Sequence, residues 1–275
     1  MFTDTEGMVL KQVKIAGGRR MIHIFTQKYG KISVGTGITE RNSKSKAALA
    51  IRPFTYGKYE ISKNRDYYNL TGAEVKTSYY SLGEDLDKYA AASHALELTD
   101  KVLQEESPQP RLFSTLVDFM NSLDKGISTP ETLFLAYETK LLTALGSRPV
   151  LTECAICGAV IEMSQPATKA TDGSEPTKTA EKPTKFSVPD GGMICQECYK
   201  KILENNPNDG KLRLIYEPFF DIVNTIRFLE TKPFSAFDKI ALDPKVATEL
   251  KSILREYIYY HLDIGPLKSE SIYMS

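Results

Sequence analysis

The four cysteines of this 275-residue chain fall in two C-x-x-C pairs, Cys154 and Cys157 in "LTECAICGAV" and Cys195 and Cys198 in "GGMICQECYK". Each pair offers two sulfurs from one tight turn, and two such turns brought together complete the tetrahedral four-thiolate shell of a structural zinc ion. A redox pair or plain buried thiols is the other reading of the same residues. Ligand spacing in both pairs favours zinc. A closed shell leaves no position for water or substrate, so the site is expected to stabilise structure and not to carry chemistry. Between Cys157 and Cys195 lie 37 residues whose middle, "SQPATKATDGSEPTKTAEKPTK", is rich in Thr, Lys, Pro and Ser. That composition predicts a flexible loop over 163–185, and because closure entropy grows only logarithmically with length, its size costs little.

The chain holds no run of about 18 apolar residues and its first 20 residues lack a signal-peptide core, which points to the cytosol. That reducing compartment disfavours disulfides and again favours metal. Formal net charge is zero, yet it is unevenly spread. Residues 1–80 carry 14 Lys or Arg against 6 Asp or Glu, a balance of +8, and the remaining 195 residues balance at −8. A basic module attracts phosphate backbones while an acidic one resists nonspecific contact with them.

The basic segment reads as β structure. In "GMVLKQVKI", "RRMIHIFTQKYGKISVG" and "GKYEISKNRDYYNLTGAEV", β-branched and aromatic residues recur in short runs broken at Gly30 and at Asn64-Arg65-Asp66. About five strands in 80 residues suit a small closed barrel of the OB type. Phe25, Tyr29, Phe54, Tyr56, Tyr59, Tyr67 and Tyr68 sit among the charges, where rings can stack on bases or simply fill the barrel core. Arg19 and Arg20 and the loop residues Arg41, Lys44, Lys46 and Arg52 are the strongest phosphate candidates.

Beyond Leu82 the period becomes helical. Leu112, Phe113, Leu116, Val117, Met120 and Leu123 form one apolar stripe, and Leu133, Phe134, Tyr137, Leu141, Leu142 and Leu145 form a second. The second helix has its start signalled by Ser128-Thr129-Pro130-Glu131 and its end by Gly146. After Asp243-Pro244 a third stripe runs through Val246, Leu250, Ile253, Leu254, Tyr257 and Ile258. Three histidines, none in a nucleophile motif, and no phosphate-cradling G-x-x-x-x-G-K-[ST] loop give catalysis little support. The expected architecture is α+β: an OB domain over 1–80, a helical bundle over 81–150 and 201–275, and a cysteine lobe inserted at 151–200.

Several stretches together resemble the bacterial recombination mediator family RecO. They are "TEGMVLKQVKI", "IFTQKYGKISVGTGI", "SKSKAALAIRPFTYGKYEI", "FLAYETKLLTALGSRPVLTECAICG", "FSVPDGGMICQECY" and "LREYIYYHLDIGPLKS". The likeness runs nearly end to end in the same order. It implies a cytoplasmic, nucleoid-associated protein without enzymatic turnover that binds single- and double-stranded DNA, anneals complementary strands and works in DNA repair and homologous recombination. Implied partners are RecR and the acidic C-terminal tail of single-stranded DNA-binding protein, with RecA served indirectly and no membrane involved. The four cysteines match the family's zinc ligands, and the resemblance implies a DNA face made by the hairpin residues Lys28, Tyr29 and Lys31 with Arg19, Arg20 and the loop cations Arg41, Lys44, Lys46 and Arg52. Two features depart from the family pattern: Ala16 to Arg20 replaces a turn that commonly holds an acidic residue, and the inter-cysteine insertion is longer. A zinc-ribbon nuclease or RNA-processing enzyme, and an adaptor without DNA binding, are the competing classes.

Overall fold

The computed structural model describes residues 2–15, 19–37, 46–64, 67–161, 185–205, 214–217 and 222–273. Five strands, β1 (Phe2–Lys14), β2 (Arg20–Thr26), β3 (Gly30–Thr36), β4 (Thr55–Asn64) and β5 (Tyr67–Ser78), close into a barrel in the order β1-β2-β3-β5-β4. All neighbouring pairs run antiparallel except β3 and β5, which meet in parallel as Val34 to Tyr68 and Gly35 to Asn69. The short helix α1 (Lys46–Ala50) lies between β3 and β4. This is the OB arrangement that the strand runs predicted.

Alternation decides which side chains fill the barrel. Val9, Ile22, Ile24, Ile32, Val34, Tyr59 and Ile61 point inward, and Ile51, just after α1, closes one end. Tyr59 donates its hydroxyl to Ala50 O at 2.7 Å, so its one polar atom is satisfied in the core. The opposite faces of β1 and β2 are equally apolar. Met8, Leu10 and Phe25 belong to the core of the helical part, with Phe25 edge-on to Phe113 at 5.4 Å. One barrel wall is therefore welded to helices and is closed to any ligand.

The helical part comprises α2 (Leu86–Val102), α3 (Pro110–Lys125), α4 (Pro130–Ala144), α5 (Gln196–Asn205), α6 (Ile222–Thr231), α7 (Pro244–Leu262) and α8 (Glu270–Tyr273). A small sheet in the order β7-β6-β8 joins it, built from β6 (Lys185–Ser187), β7 (Gly192–Ile194) and β8 (Ile215–Tyr216). Thr129, not Ser128, caps α4: its hydroxyl accepts from Thr132 N at 3.2 Å, and Pro130 occupies the first turn. Ser128 instead donates to the carbonyl of Ile240. Asp243 caps α7. Helix α4 is central, with every residue from 132 to 142 except Lys140 buried, so the predicted stripe is only part of its contact surface.

Glu138 sits in that buried stretch at 5% exposure, and its Oε2 meets no hydrogen-bond partner among the described residues. Burial pushes its carboxyl up to about 8, the charge of Lys251 offsets part of the rise, and Glu270 adds to it. A folded-state value above the ordinary 4.5 means that the fold holds a proton which the unfolded chain has lost. This contribution is fully present below about 4.5 and declines as pH climbs to about 8, by up to roughly 1.4 kcal/mol per pH unit. Glu138→Gln should remove that decline. Denaturant midpoints in mildly acidic and mildly alkaline buffer are expected to separate variant from wild type progressively, and parallel profiles would refute a neutral Glu138.

Candidate metal centre and nucleic-acid interface

The first knuckle follows Leu151, which anchors it to the helical core. Cys154 N donates to Ala159 O at 2.8 Å and Gly158 N to Cys154 O at 2.8 Å, folding Cys154 to Gly158 into one turn. Gly158 takes a φ of 72°, the left-handed conformation that such a turn asks of glycine. The second knuckle leaves β7 at Ile194, so that Cys195 precedes α5 and Cys198 lies in its first turn. Ala155 N donates to Met193 O at 2.7 Å and stitches the two knuckles together.

All four sulfurs lie within 4.8 Å of one another, and Cys157 Sγ stands 3.8 Å from Cys195 Sγ. Thiolates bound tetrahedrally at about 2.3 Å sit about 3.8 Å apart, so the cluster fits a metal ion. A disulfide needs about 2.05 Å. Burial raises the Cys154 thiol, but the N–H groups of Cys157, Cys195 and Ile156 overcome this and draw it down to about 6. Burial and the neighbouring sulfurs push Cys198 up to about 12. Thiolates so close repel one another, and a divalent cation among them reverses that repulsion. Cys154 and Cys198 are buried beside Ile194, whereas Cys157 faces solvent.

The expected DNA contacts separate into distinct places. Arg19 is exposed at the β1–β2 turn, and Arg20 pairs across the strands with Lys14. Arg20 Nη1 donates to Gln12 Oε1 at 3.1 Å, and Gln12 Nε2 donates to Ile51 O at 3.1 Å, which links this turn to Arg52. Arg19, Arg20 and Arg52, the last just after α1, thus share one end of the barrel. Arg41, Lys44 and the side chain of Lys46 lie outside the described residues. So does the expected loop, except for Lys185, which begins β6.

Lys28 and Tyr29 occupy the opposite end, where Lys28 Nζ donates to Asp4 O at 2.8 Å and the Tyr29 hydroxyl meets Thr3 Oγ1 at 2.6 Å. Lys31 differs most from expectation. Its Nζ donates to Asp100 O at 2.6 Å and lies 3.8 Å from Asp100 Oδ1, in the seam between barrel and α2. His23 reaches the same carboxylate at 3.1 Å. Burial alone would raise Asp100, but the hydrogen bond and charge of His23, with Lys31 and Lys11, hold it below the ordinary carboxylate range. Lys31 is a strut across this seam, a role fixed by a residue 69 positions away. Other cations of the segment are paired on the surface: Lys58 with Asp4, Lys63 with Glu106 and Lys76 with Glu6. Of the aromatics, Phe25 and Tyr59 are fully buried, Tyr56 and Phe54 lean on the helices, and Tyr67 is 75% exposed.

A closed OB barrel joined to helices that carry a four-cysteine site able to hold a metal defines an architecture with a known owner. The profile described as Recombination protein O N terminal matches residues 1–79, and Recombination protein O C terminal matches residues 83–170. The chain belongs to the RecO family, which gives it a role in DNA repair and recombination. Among its relatives, the DNA repair protein RecO of Alkaliphilus metalliredigens is 29% identical over 96% of this chain and 95% of its own length. That of Halalkalibacterium halodurans is 25% identical over 94% and 89%, and that of Exiguobacterium sibiricum 32% over 71% and 70%. Among the described residues no helix is long and apolar enough to cross a membrane.

Proposed function

We propose that the protein is a recombination mediator without catalytic turnover, which binds single- and double-stranded DNA and anneals complementary strands. In this reading residues 1–80 hold DNA, 81–150 and 201–275 form the bundle, and 151–200 form a lobe stabilised by zinc on Cys154, Cys157, Cys195 and Cys198. RecR and the acidic tail of single-stranded DNA-binding protein are its partners, and through them RecA is loaded on coated strands in the cytoplasm, at the nucleoid.

The observation that carries the reading is the gathering of Arg19, Arg20 and Arg52, the last just after α1, at one barrel end. Cations there neutralise the phosphates of two strands and lower their mutual repulsion, while contacts indifferent to sequence leave the register to base pairing. Four phosphate contacts give a log K against log salt slope of roughly −3.6, or on the order of a hundredfold weaker binding for a fourfold rise in salt. A flat plot would sink the phosphate reading. The functional test is annealing of two fluorescent complementary oligonucleotides, with and without single-stranded DNA-binding protein, comparing wild type with the Arg19/Arg20/Lys44/Lys46→Ala variant. Acceleration that persists on coated strands and vanishes in the variant is expected. Cleavage of the strands would instead favour a nuclease, and no effect an adaptor.

A further inference from the structure

Adjacent residues Tyr79 and Tyr80, which follow β5, have opposite fates. Tyr79 is 1% exposed, its hydroxyl donates to Asn121 Oδ1 at 2.8 Å, and its N–H donates to Phe54 O at 2.9 Å. Tyr80, held by this anchor at the start of a short 3-10 turn, is 62% exposed. A ring that projects from an immobilised neighbour gains little from packing, and its position is fixed in advance. The Arg52 guanidinium lies 5.8 Å from the centre of the Tyr80 ring. Together they border a groove of about 600 Å³ whose apolar wall comprises Leu49, Ala73 and Val75. Leu49 and Val75 are themselves 45% and 37% exposed. One carboxylate, Glu74, reaches the rim, and it faces Lys58 across the β4–β5 pair.

The backbone beside the groove is strained. Phe54 has a φ of 66°, a left-handed conformation that is costly for a residue with a Cβ. Observed strain of this sort concentrates where structure positions a ligand contact. The carbonyl of Phe54 is the acceptor that fixes Tyr79, and Phe54 itself packs on Tyr89 at 5.6 Å, so the strained turn sets both Arg52 and Tyr80.

We infer that this groove is a stacking subsite for one unpaired nucleobase of single-stranded DNA, with the base on Tyr80 and the apolar wall and its phosphate towards Arg52. The inference rests on the DNA-binding reading above and specifies where the strand is distinguished from the duplex. An aromatic face accepts any base, a cation beside it suits the adjoining phosphate, and both lie at the end of the barrel to which Arg20 is tied through Gln12 and Ile51. A paired base cannot enter, because its faces are covered by its neighbours in the duplex.

The test uses the full chain, a short oligothymidine carrying one 5-iododeoxyuridine, and a duplex of equal length. Tyr80→Ala should weaken single-strand binding roughly tenfold and leave duplex binding unchanged, Tyr80→Phe should retain wild-type affinity, and photocrosslinks should map to Tyr80. Unchanged single-strand affinity in Tyr80→Ala with wild type binding normally, or crosslinks confined elsewhere, overturns the subsite and leaves the DNA reading intact. Equal losses on strand and duplex overturn it too, since a stacking contact acts on the unpaired base alone. Wild type that binds neither probe at low salt removes the DNA reading and the subsite with it.

Discussion

Replacing Cys195 and Cys198 together by serine is expected to abolish metal binding and unravel the two knuckles while the barrel stays folded. The reason lies in how little else holds the two knuckles themselves. Their own cluster of buried residues consists of Cys154, Ile194 and Cys198, two of them cysteines of the candidate site, with only partly buried neighbours such as Ile161, Tyr199 and Ile202 around it, while Leu151, Phe186, Val188 and Met193 of the lobe belong to the helical core. A core so small cannot offset the conformational entropy of ordering two knuckles and α5. A structural metal contributes its binding energy directly to folding, on the order of 10 kcal/mol in isolated small sites. Metal content, thermal melting and limited proteolysis of the serine variant should therefore show metal loss, a lower first transition and new cleavage near residues 150–161 and 196–205. A metal-free variant that melts and resists protease like wild type would refute the structural role.

Gly30→Ala is expected to be the most damaging single methyl in the barrel. Gly30 has a φ of 69°, and a Cβ built there would stand 2.1 Å from Ser107 O and 2.4 Å from its carbonyl carbon. The collision is with backbone, so no side-chain rotation relieves it. The segment after α2 would have to leave β3, breaking the bond from Glu106 N to Lys31 O at 2.8 Å and loosening the Asp100 seam. With the left-handed backbone added, the loss is on the order of 3–5 kcal/mol. Gly37→Ala is the control, because among the described residues nothing lies within 4 Å of its added methyl. Melting curves of the two variants should differ by several degrees. Equal curves would show that the seam yields freely.

These two sites differ in how far the sequence announced them. Cysteine spacing is a local signal: the turn geometry of each C-x-x-C pair specifies two ligands whatever the separation, so the cluster could be read across the 37 intervening residues. Gly30 was legible as a turn, but its contact with Ser107 was not, because nothing local encodes a neighbour 77 positions on. The stripes of α3 and α7 were legible because each has one dry face and one wet face. Helix α4 was also read from its stripe and its start signal, but its burial almost all round was not, and α2, which buries Ala90, Ala91, Ala92 and Ala95, shows little of the contrast that periodicity detects. Lys31 shows the limit for function. Its charge suggested DNA, and only the approach of Asp100 reveals that the charge is spent inside the protein. Tyr80 carried no local signal that sets it apart from Tyr79, since both follow β5 and only the fold buries one ring and exposes the other.

The lobe is contained in the middle of the chain, but its clasp comes from the end. His261 Nε2 meets Val188 O at 2.7 Å, Tyr257 donates to Gly191 O at 3.3 Å, and the two rings stack at 4.2 Å. During synthesis the cysteines emerge from the ribosome more than 50 residues before these rings do. A nascent lobe that takes up a metal can do so before α7 exists, and it gains the hydrogen bonds of Tyr257 and His261 only when that helix arrives. A chain cut short before Tyr257 would lack both bonds, and its lobe is expected to be more open to protease than that of the full chain.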